Sequence, residues 1–217
     1  YTDANDWYPV NITFHRGAFP GFDVMHKGEF VGHVQLGVPG LHNVLNALAA
    51  IAASDHAGAD LAKALGALEA FRGAGRRFEI LGEYNGVTIA DDYAHHPAEL
   101  KVTLEAAKKM DYNRVWAVFQ PFTFSRTYML LEDFADVLKI ADQVVLTEIM
   151  GSREVNTYDI HTYQLAEKIE GSVWFEKFDT IAQYLYDNLR PGDLVITLGC
   201  GDVYKIAKKL IKLYQEQ

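Results

Sequence analysis

Val87-Thr88-Ile89-Ala90-Asp91-Asp92-Tyr93-Ala94-His95-His96-Pro97 is the stretch on which the fold turns. Residues 87–90 read as a short strand. Two carboxylates, a tyrosine and two imidazoles follow at once. Pro97 then suits the first turn of a helix, where its missing N–H would have had no partner anyway. Strand, polar turn and helix together form the repeating unit of an α/β domain. So many titratable groups are costly to bury, so the turn reads either as a solvated loop with a helix start or as a site.

Outward from this stretch the same alternation continues. Strands are expected at 78–84, 87–90, 114–119, 143–148, 173–175 and 194–198. Helices are expected at 97–110, 128–140, 159–169, 180–189 and 203–217. Short apolar strands separated by helices of this length imply a mainly parallel sheet with helices on both faces, a Rossmann-like layer structure. Upstream, residues 9–37 alternate with a period of two: Val10, Ile12 and Phe14, then Phe22 and Val24, then Val34, Leu36 and Val38. Lys27-Gly28-Glu29 reads as a hairpin turn, so this part is expected to be an antiparallel meander. From Leu41 the period becomes helical, with Val44, Leu45, Leu48, Ile51 and Ala52 on one face, and a second helix is expected at 57–71. Arg72-Gly73-Ala74-Gly75 interrupts the pattern, which places the expected domain boundary between 1–74 and 75–217.

Composition excludes several functions. The 217 residues are 49% hydrophobic and carry a formal charge of −9, and phosphate-backbone binding needs clustered Lys and Arg, so a nucleic-acid face is not expected. No apolar run is long enough to span a bilayer. A single cysteine, Cys200, rules out an internal disulfide and fits a reducing, cytoplasmic location. The first residues are polar and acidic, unlike a signal peptide, and there is no initiator Met, so the chain reads as an excised piece of something longer.

In an open α/β sheet ligands bind beyond the carboxyl ends of the strands, so the residues after each strand are the candidates. After 114–119 comes Gln120-Pro121-Phe122-Thr123-Phe124-Ser125-Arg126-Thr127, in which Arg126 is either a bidentate carboxylate grip or a surface cation. After 143–148, residues 149–154 read as a solvated turn. After 194–198, Gly199-Cys200-Gly201-Asp202 opens the last helix, and its two glycines allow close backbone approach to a ligand. In the upstream part, His42, Asn43 and Asn46 share a helix face away from the apolar stripe, which suits either base-edge recognition or ordinary capping. No G-x-x-x-x-G-K-[ST] phosphate loop occurs, so the chain by itself lacks the usual cradle for a transferring phosphoryl group.

Taken together and in this order, the motifs resemble the Mur ligases of peptidoglycan synthesis. Asp91-Asp92-Tyr93-Ala94-His95-His96-Pro97, Pro39-Gly40-x-His42-Asn43-x-x-Asn46-Ala47, Arg76-Arg77-Phe78-Glu79, Gln120-Pro121 through Ser125-Arg126-Thr127, and Gly199-x-Gly201-Asp202 carry the likeness. It is strongest to the branch that adds L-alanine to UDP-N-acetylmuramate, and it covers essentially the whole chain. The resemblance implies that 1–74 is the end of a central ATPase domain and 75–217 the C-terminal Rossmann-like ligase domain. It implies ATP and Mg²⁺, with an acyl phosphate of the muramyl carboxylate attacked by the amino acid's amine. His42, Asn43 and Asn46 would flank adenine, Arg77 would reach the nucleotide phosphates and Asp92 the ribose. His95, His96 and Arg126 would line the reacting centre as the catalytic set. The phosphate loop, most Mg²⁺ ligands and the UDP-sugar site would lie before Tyr1, so the chain's partners are these small molecules and the rest of its own polypeptide, and no residue here is assigned to metal. Two positions depart from the family pattern: Phe122 stands where His is usual and Thr123 where many members carry Arg. Cys200 replaces a common alanine. The alternatives are a murein-peptide ligase of the same family, expected to carry Phe in place of Tyr93, and a non-catalytic nucleotide-binding module.

Overall fold

The computed structural model describes residues 4–216, so the expectations touching residues 1–3 and 217 lie outside the described residues. The chain divides into two compact units: residues up to Ala74 together with Lys109–Asp111, and Gly75–Lys108 with the chain from Tyr112 onward.

The first unit is an antiparallel meander of β1 (Trp7–His15), β2 (Phe19–His26) and β3 (Glu29–Gln35), followed by α1 (His42–His56) and α2 (Leu61–Ala70). Lys27 and Gly28 both take positive φ, 50° and 88°, as a tight primed hairpin turn requires for strands of right-handed twist. The alternating residues Phe22, Val24, Val34 and Leu36 bury one sheet face against Val44, Ala47, Leu48 and Ile51 of α1. Leu45, expected on that apolar face, is 50% exposed, because the i, i+3, i+4, i+7 set from Val44 selects Ala47 and Leu48 instead. The second helix begins four residues later than expected: Gly58 at φ 75° ends the first helix region, and the Asp60 carboxylate accepts the Lys63 amide at 3.2 Å as an N-cap.

The second unit is a six-stranded sheet in the order β4-β5-β9-β6-β7-β8. These strands are β4 (Glu79–Tyr84), β5 (Val87–Asp92), β6 (Arg114–Phe119), β7 (Gln143–Thr147), β8 (Val173–Phe175) and β9 (Asp193–Leu198). All neighbours pair in parallel except β4 and β5. The intervening helices are α3 (Pro97–Lys108), α4 (Phe124–Met129), α5 (Leu131–Leu138), α6 (Thr162–Ala166), α7 (Phe178–Asn188) and α8 (Tyr204–Gln215). Successive strand residues face opposite sides. Val87, Ile89, Trp116, Val118, Val145 and Val195 pack under Ile181, Leu185, Ile206 and Leu210 of α7 and α8. On the other face α3 packs against β6 and α5, and α6 against β7, with Phe119 and Phe134 rings 5.3 Å apart. The Rossmann-like reading of the sheet holds.

Three expectations change. The strand read as 87–90 runs on through Asp92, so Asp91 and Asp92 are strand residues, 1% and 6% exposed, and not loop residues. The helix expected at 128–140 is two helices meeting at Leu130 (φ −114°, ψ 24°). The break frees α5 to bury Phe134, Ala135, Val137 and Leu138 while α4 keeps its own direction. The helix expected from 159 begins at Thr162, because Asp159 is left-handed (φ 51°) and the Asn156 side chain brackets Ile160, donating to its carbonyl and accepting from its amide.

Candidate active site

Inserting β9 between β5 and β6 places three carboxyl ends side by side. The chain after β5, after β9 and after β6 therefore meets at one edge of the sheet, the edge where open α/β sheets carry their ligands.

After β5 the chain is held by its own acids. Asp91 sits between the Arg76 guanidinium, whose Nε donates at 2.8 Å, and the Thr197 hydroxyl, which donates at 2.6 Å. Asp92 accepts the backbone amides of Phe78 and Ala94, both at 2.7 Å, one on each carboxylate oxygen. Burial pushes Asp92 above the ordinary carboxylate range, against the opposing pull of those two amides and of the Arg77 charge. Beyond it, Glu99 reaches back to accept the His95 and His96 amides at 3.0 and 3.2 Å, as an acid in the first turn of a helix does. Burial raises Glu99, but these amides and the nearby His95 and Arg77 outweigh it and hold the carboxyl below its usual value.

The two imidazoles have different hydrogen-bond partners. His95 Nδ1 lies 3.0 Å from the Tyr93 carbonyl oxygen and 3.4 Å from Glu99 Oε2. Both neighbours are acceptors, so Nδ1 carries a hydrogen, and in the neutral ring Nε2 keeps its lone pair. His96 Nδ1 accepts the Ala98 amide at 3.3 Å, so its hydrogen resides on Nε2. The pair offers one proton acceptor and one donor. Phe122 lies edge-on to His95 with centroids 6.3 Å apart.

After β6, Gln120 is buried and donates through Nε2 to Asp202 at 3.2 Å. Thr123 follows with φ 67° and ψ 143°, a strained conformation for a β-branched residue. It is held by a bond from its amide to the Met150 carbonyl (2.9 Å) and by the Thr127 hydroxyl donating to its own carbonyl (2.7 Å). Ser125 is clamped by Glu154, through its amide at 2.8 Å and its hydroxyl at 2.6 Å. Arg126 comes next, and its Nη1 is buried with no hydrogen-bond partner. An unpaired buried guanidinium nitrogen is costly, and a carboxylate presented to it would remove that cost. Residues 149–154, read from sequence as a solvated turn, instead supply Met150 and Glu154 to this loop.

After β9, both glycines of the turn are required by the protein itself. Gly199 has φ 146°, and a Cβ on Gly201 would collide with Gln120 Oε1 and Met150 Sδ. Burial pushes the Cys200 thiol up, against the opposing pull of the Arg126 and Arg76 charges.

Of the sequence candidates, the sheet edge gathers Asp92, His95, His96 and Arg126. Arg77 lies beside them, its guanidinium 5.7 Å over the Tyr93 ring. His42, Asn43 and Asn46 belong to the other unit. There Asn43 donates to the Pro39 carbonyl at 2.8 Å and accepts from Asn46 at 3.0 Å, and the His42 ring packs on Gly40, whose φ is 100°. Sequence reading gave no role to Glu99 or Glu154, and quoted Arg76 and Gln120 only within motifs. Glu99 had a local signal, an acid two residues after a helix-opening proline; the others act through tertiary contacts.

Comparison with known proteins identifies the family. Residues 76–201 match the family of the Mur ligase, glutamate ligase domain. The UDP-N-acetylmuramate–L-alanine ligase of Agathobacter rectalis is 48% identical over 211 residues, 95% of this chain and 46% of the relative. That of Acetivibrio thermocellus is 43% identical over 210 residues, 95% and 45%. The crystal structure of a UDP-N-acetylmuramate–alanine ligase from Thermotoga maritima superposes with a TM-score of 0.79 at 30% identity, covering 97% of this chain and 46% of that one. The chain thus spans somewhat under half the length of the relatives it matches. With its glycine turn, paired imidazoles and waiting arginine on one sheet edge, and with this match across most of its second unit, the chain belongs to the Mur ligase family.

Proposed function

We propose that this chain is part of an ATP-dependent ligase that joins L-alanine to UDP-N-acetylmuramate in peptidoglycan synthesis. In this reading residues 75–217 are the C-terminal ligase domain and residues 1–74 end the central ATPase domain. The single observation that carries it is the buried, unpartnered Arg126 Nη1 at the edge that also holds His95 with a free Nε2. An amino acid presents a carboxylate for the first and an amine whose proton must leave for the second. The match to relatives named for this activity supports the same substrate.

The chemistry assigned to these side chains is the second half of the reaction. The muramyl carboxylate has been phosphorylated by ATP, releasing ADP. Arg126 holds the amino-acid carboxylate, which leaves the amine pointing at the acyl carbon. The C–N bond forms, the C–O bond to phosphate breaks, and the amine's proton passes to His95 Nε2. His96, with its hydrogen on Nε2, donates to the oxygen that gains charge in the tetrahedral intermediate. Most of the acceleration comes from positioning.

For the nucleotide, Arg77 is proposed to meet the phosphates, Asp92 the ribose, and His42, Asn43 and Asn46 the adenine. Each Asp92 oxygen has a second lone pair beyond its amide bond, so a hydroxyl can share it. Mg²⁺ is assigned to no residue here and no step is routed through it.

The test is phosphate release with ATP, Mg²⁺, L-alanine and UDP-N-acetylmuramate. The intact ligase carrying this chain releases phosphate when both co-substrates are present, and the 217-residue chain alone does not. Turnover by the chain alone, or release independent of L-alanine, overturns the assignment.

A further inference from the structure

Arg76 precedes the arginine proposed to meet the nucleotide, yet its side chain turns into the protein. It stands at φ 61°, a left-handed conformation that costs a non-glycine residue energy and persists where surrounding contacts over-determine it. The contacts are unusually complete. Nε donates to Asp91 at 2.8 Å, Nη2 to the Gly199 carbonyl at 2.6 Å and Nη1 to the Gly201 carbonyl at 3.2 Å. The planar face lies between two rings, 5.0 Å from the Tyr93 centroid and 4.9 Å from that of Tyr204. Its main chain is bound as well. The amide donates to Glu79 Oε2 at 2.7 Å, and the carbonyl accepts the Tyr93 amide at 2.7 Å. One residue therefore grips the end of β5, both glycine carbonyls of the turn after β9, the first residue of α8, and the start of the loop that carries His95.

The geometry points to Arg76 as a positioning residue for the ligase reaction, one that sets the His95 loop against the glycine turn. The inference rests on the function proposed above. Two links transmit its effect. Tyr93, stacked on the guanidinium, stands edge-on to His95 with centroids 5.5 Å apart and offers its carbonyl to His95 Nδ1. In the turn, pulling the Gly199 and Gly201 carbonyls toward Arg76 directs the amides of Cys200 and Asp202 to the opposite side, because C=O and N–H of one trans peptide are antiparallel. The His95 loop and the glycine turn are thereby referred to a single guanidinium. Arginine suits this task and lysine does not: the task needs three donors in a fixed plane and two stacking faces, where lysine offers a point charge.

The experiment compares Arg76→Ala and Arg76→Lys with wild type in the intact ligase. Arg76→Ala is expected to lower kcat for L-alanine addition by about 10²-fold, the loss typical of an ångström-scale misplacement, with a smaller change in the KM for ATP. Arg76→Lys recovers part of kcat. In hydrogen exchange the amides of Tyr93, Gly199 and Lys205 lose protection in Arg76→Ala, while those of Val118 and Ile196 in the sheet interior keep theirs. A kcat within twofold of wild type overturns the inference. So does a uniform loss of protection with activity that simply follows the fall in melting temperature, since that is a fold-stabilising role and nothing more. If Arg76→Ala fails to fold, Arg76→Lys alone decides by the same two readouts. If wild type forms no amide from L-alanine, the proposed function fails, and the exchange pattern still tests the hold of Arg76 on the two loops.

Discussion

The loop after β5 and the loop after β6 stand at the same sheet edge and are built on opposite principles. The first is saturated: both strand-end carboxylates, the Glu99 carboxylate and the loop amides all have partners within the protein. The second carries a strained Thr123 and a buried Arg126 nitrogen without a partner. A saturated loop stabilises the fold and presents its groups in one arrangement. A loop with an unmet donor costs stability until a ligand supplies the missing acceptor. The satisfied acids and the unmet donor thus lie at different strand ends, and substitutions can separate their effects on stability.

The largest effect is expected from Asp92→Ala. It strands the amides of Phe78 and Ala94 in a buried setting, at roughly 1–3 kcal/mol each. Urea unfolding should show the loss, and the ATP constant of the intact ligase should rise with it. An unfolding curve that matched wild type would break the comparison at its saturated end.

Arg126→Ala should do the reverse. The intact ligase loses about 10²–10³-fold in kcat/KM for L-alanine, while unfolding shifts by less than about 0.5 kcal/mol or moves toward greater stability, because an unsatisfied buried donor has gone. A destabilisation as large as that of Asp92→Ala would mean that Arg126 is framework and not a binding group.

Gly201→Ala probes the seam between the loops. The new methyl must displace Gln120 and Met150, and overpacking of this kind costs about 1–3 kcal/mol. Activity should fall alongside stability, measured by thermal melting and turnover together. Gly28→Ala offers a contrast: nothing lies near its Cβ position, so the positive φ of 88° is its sole burden.

The smallest effect belongs to the far end of the sheet. Asp142 accepts the Lys108 ammonium at 2.7 Å and the Val115 amide at 2.8 Å. Burial raises it, and these partners together with Arg114 outweigh burial and hold it below the ordinary value. Its contribution is therefore present above the usual carboxylate pKa and lost as pH falls through the lowered value. Asp142→Asn should flatten that part of the acid-unfolding profile by up to about 1 kcal/mol, since the pair is partly solvated, and leave turnover at neutral pH unchanged. Asp92 has the opposite sign, because its raised pKa favours the folded state more as pH falls.

The extent to which sequence foretold this arrangement varies by element. Period-two and period-3.6 patterns located every strand of the second unit to within about two residues, because alternation and burial are local facts. The Leu130 break was invisible, since Tyr128 through Ile140 is a continuous helical pattern and the interruption depends on where Arg126 and Phe134 must each point. The burial of Asp91 and Asp92 was equally hidden. Their hydrogen-bond partners, Arg76, Thr197 and the Phe78 amide, lie 15, 106 and 14 residues away, and a carboxylate without visible partners reads as solvent-exposed. Arg76 itself was legible as part of a motif and not as an anchor, since nothing in Arg-Arg distinguishes the one that faces inward.

The direction of β4 has a mechanical consequence. It is the one strand of its sheet that runs antiparallel to its neighbour, so Glu79 lies beside Asp91 at the carboxyl ends of the parallel strands. Had it run parallel, its six residues would have carried the incoming chain to the opposite rim, about 20 Å away. As built, the chain enters the sheet at the rim that carries the proposed site. Gly73, with φ 99°, sits three residues ahead of Arg76 on that incoming stretch.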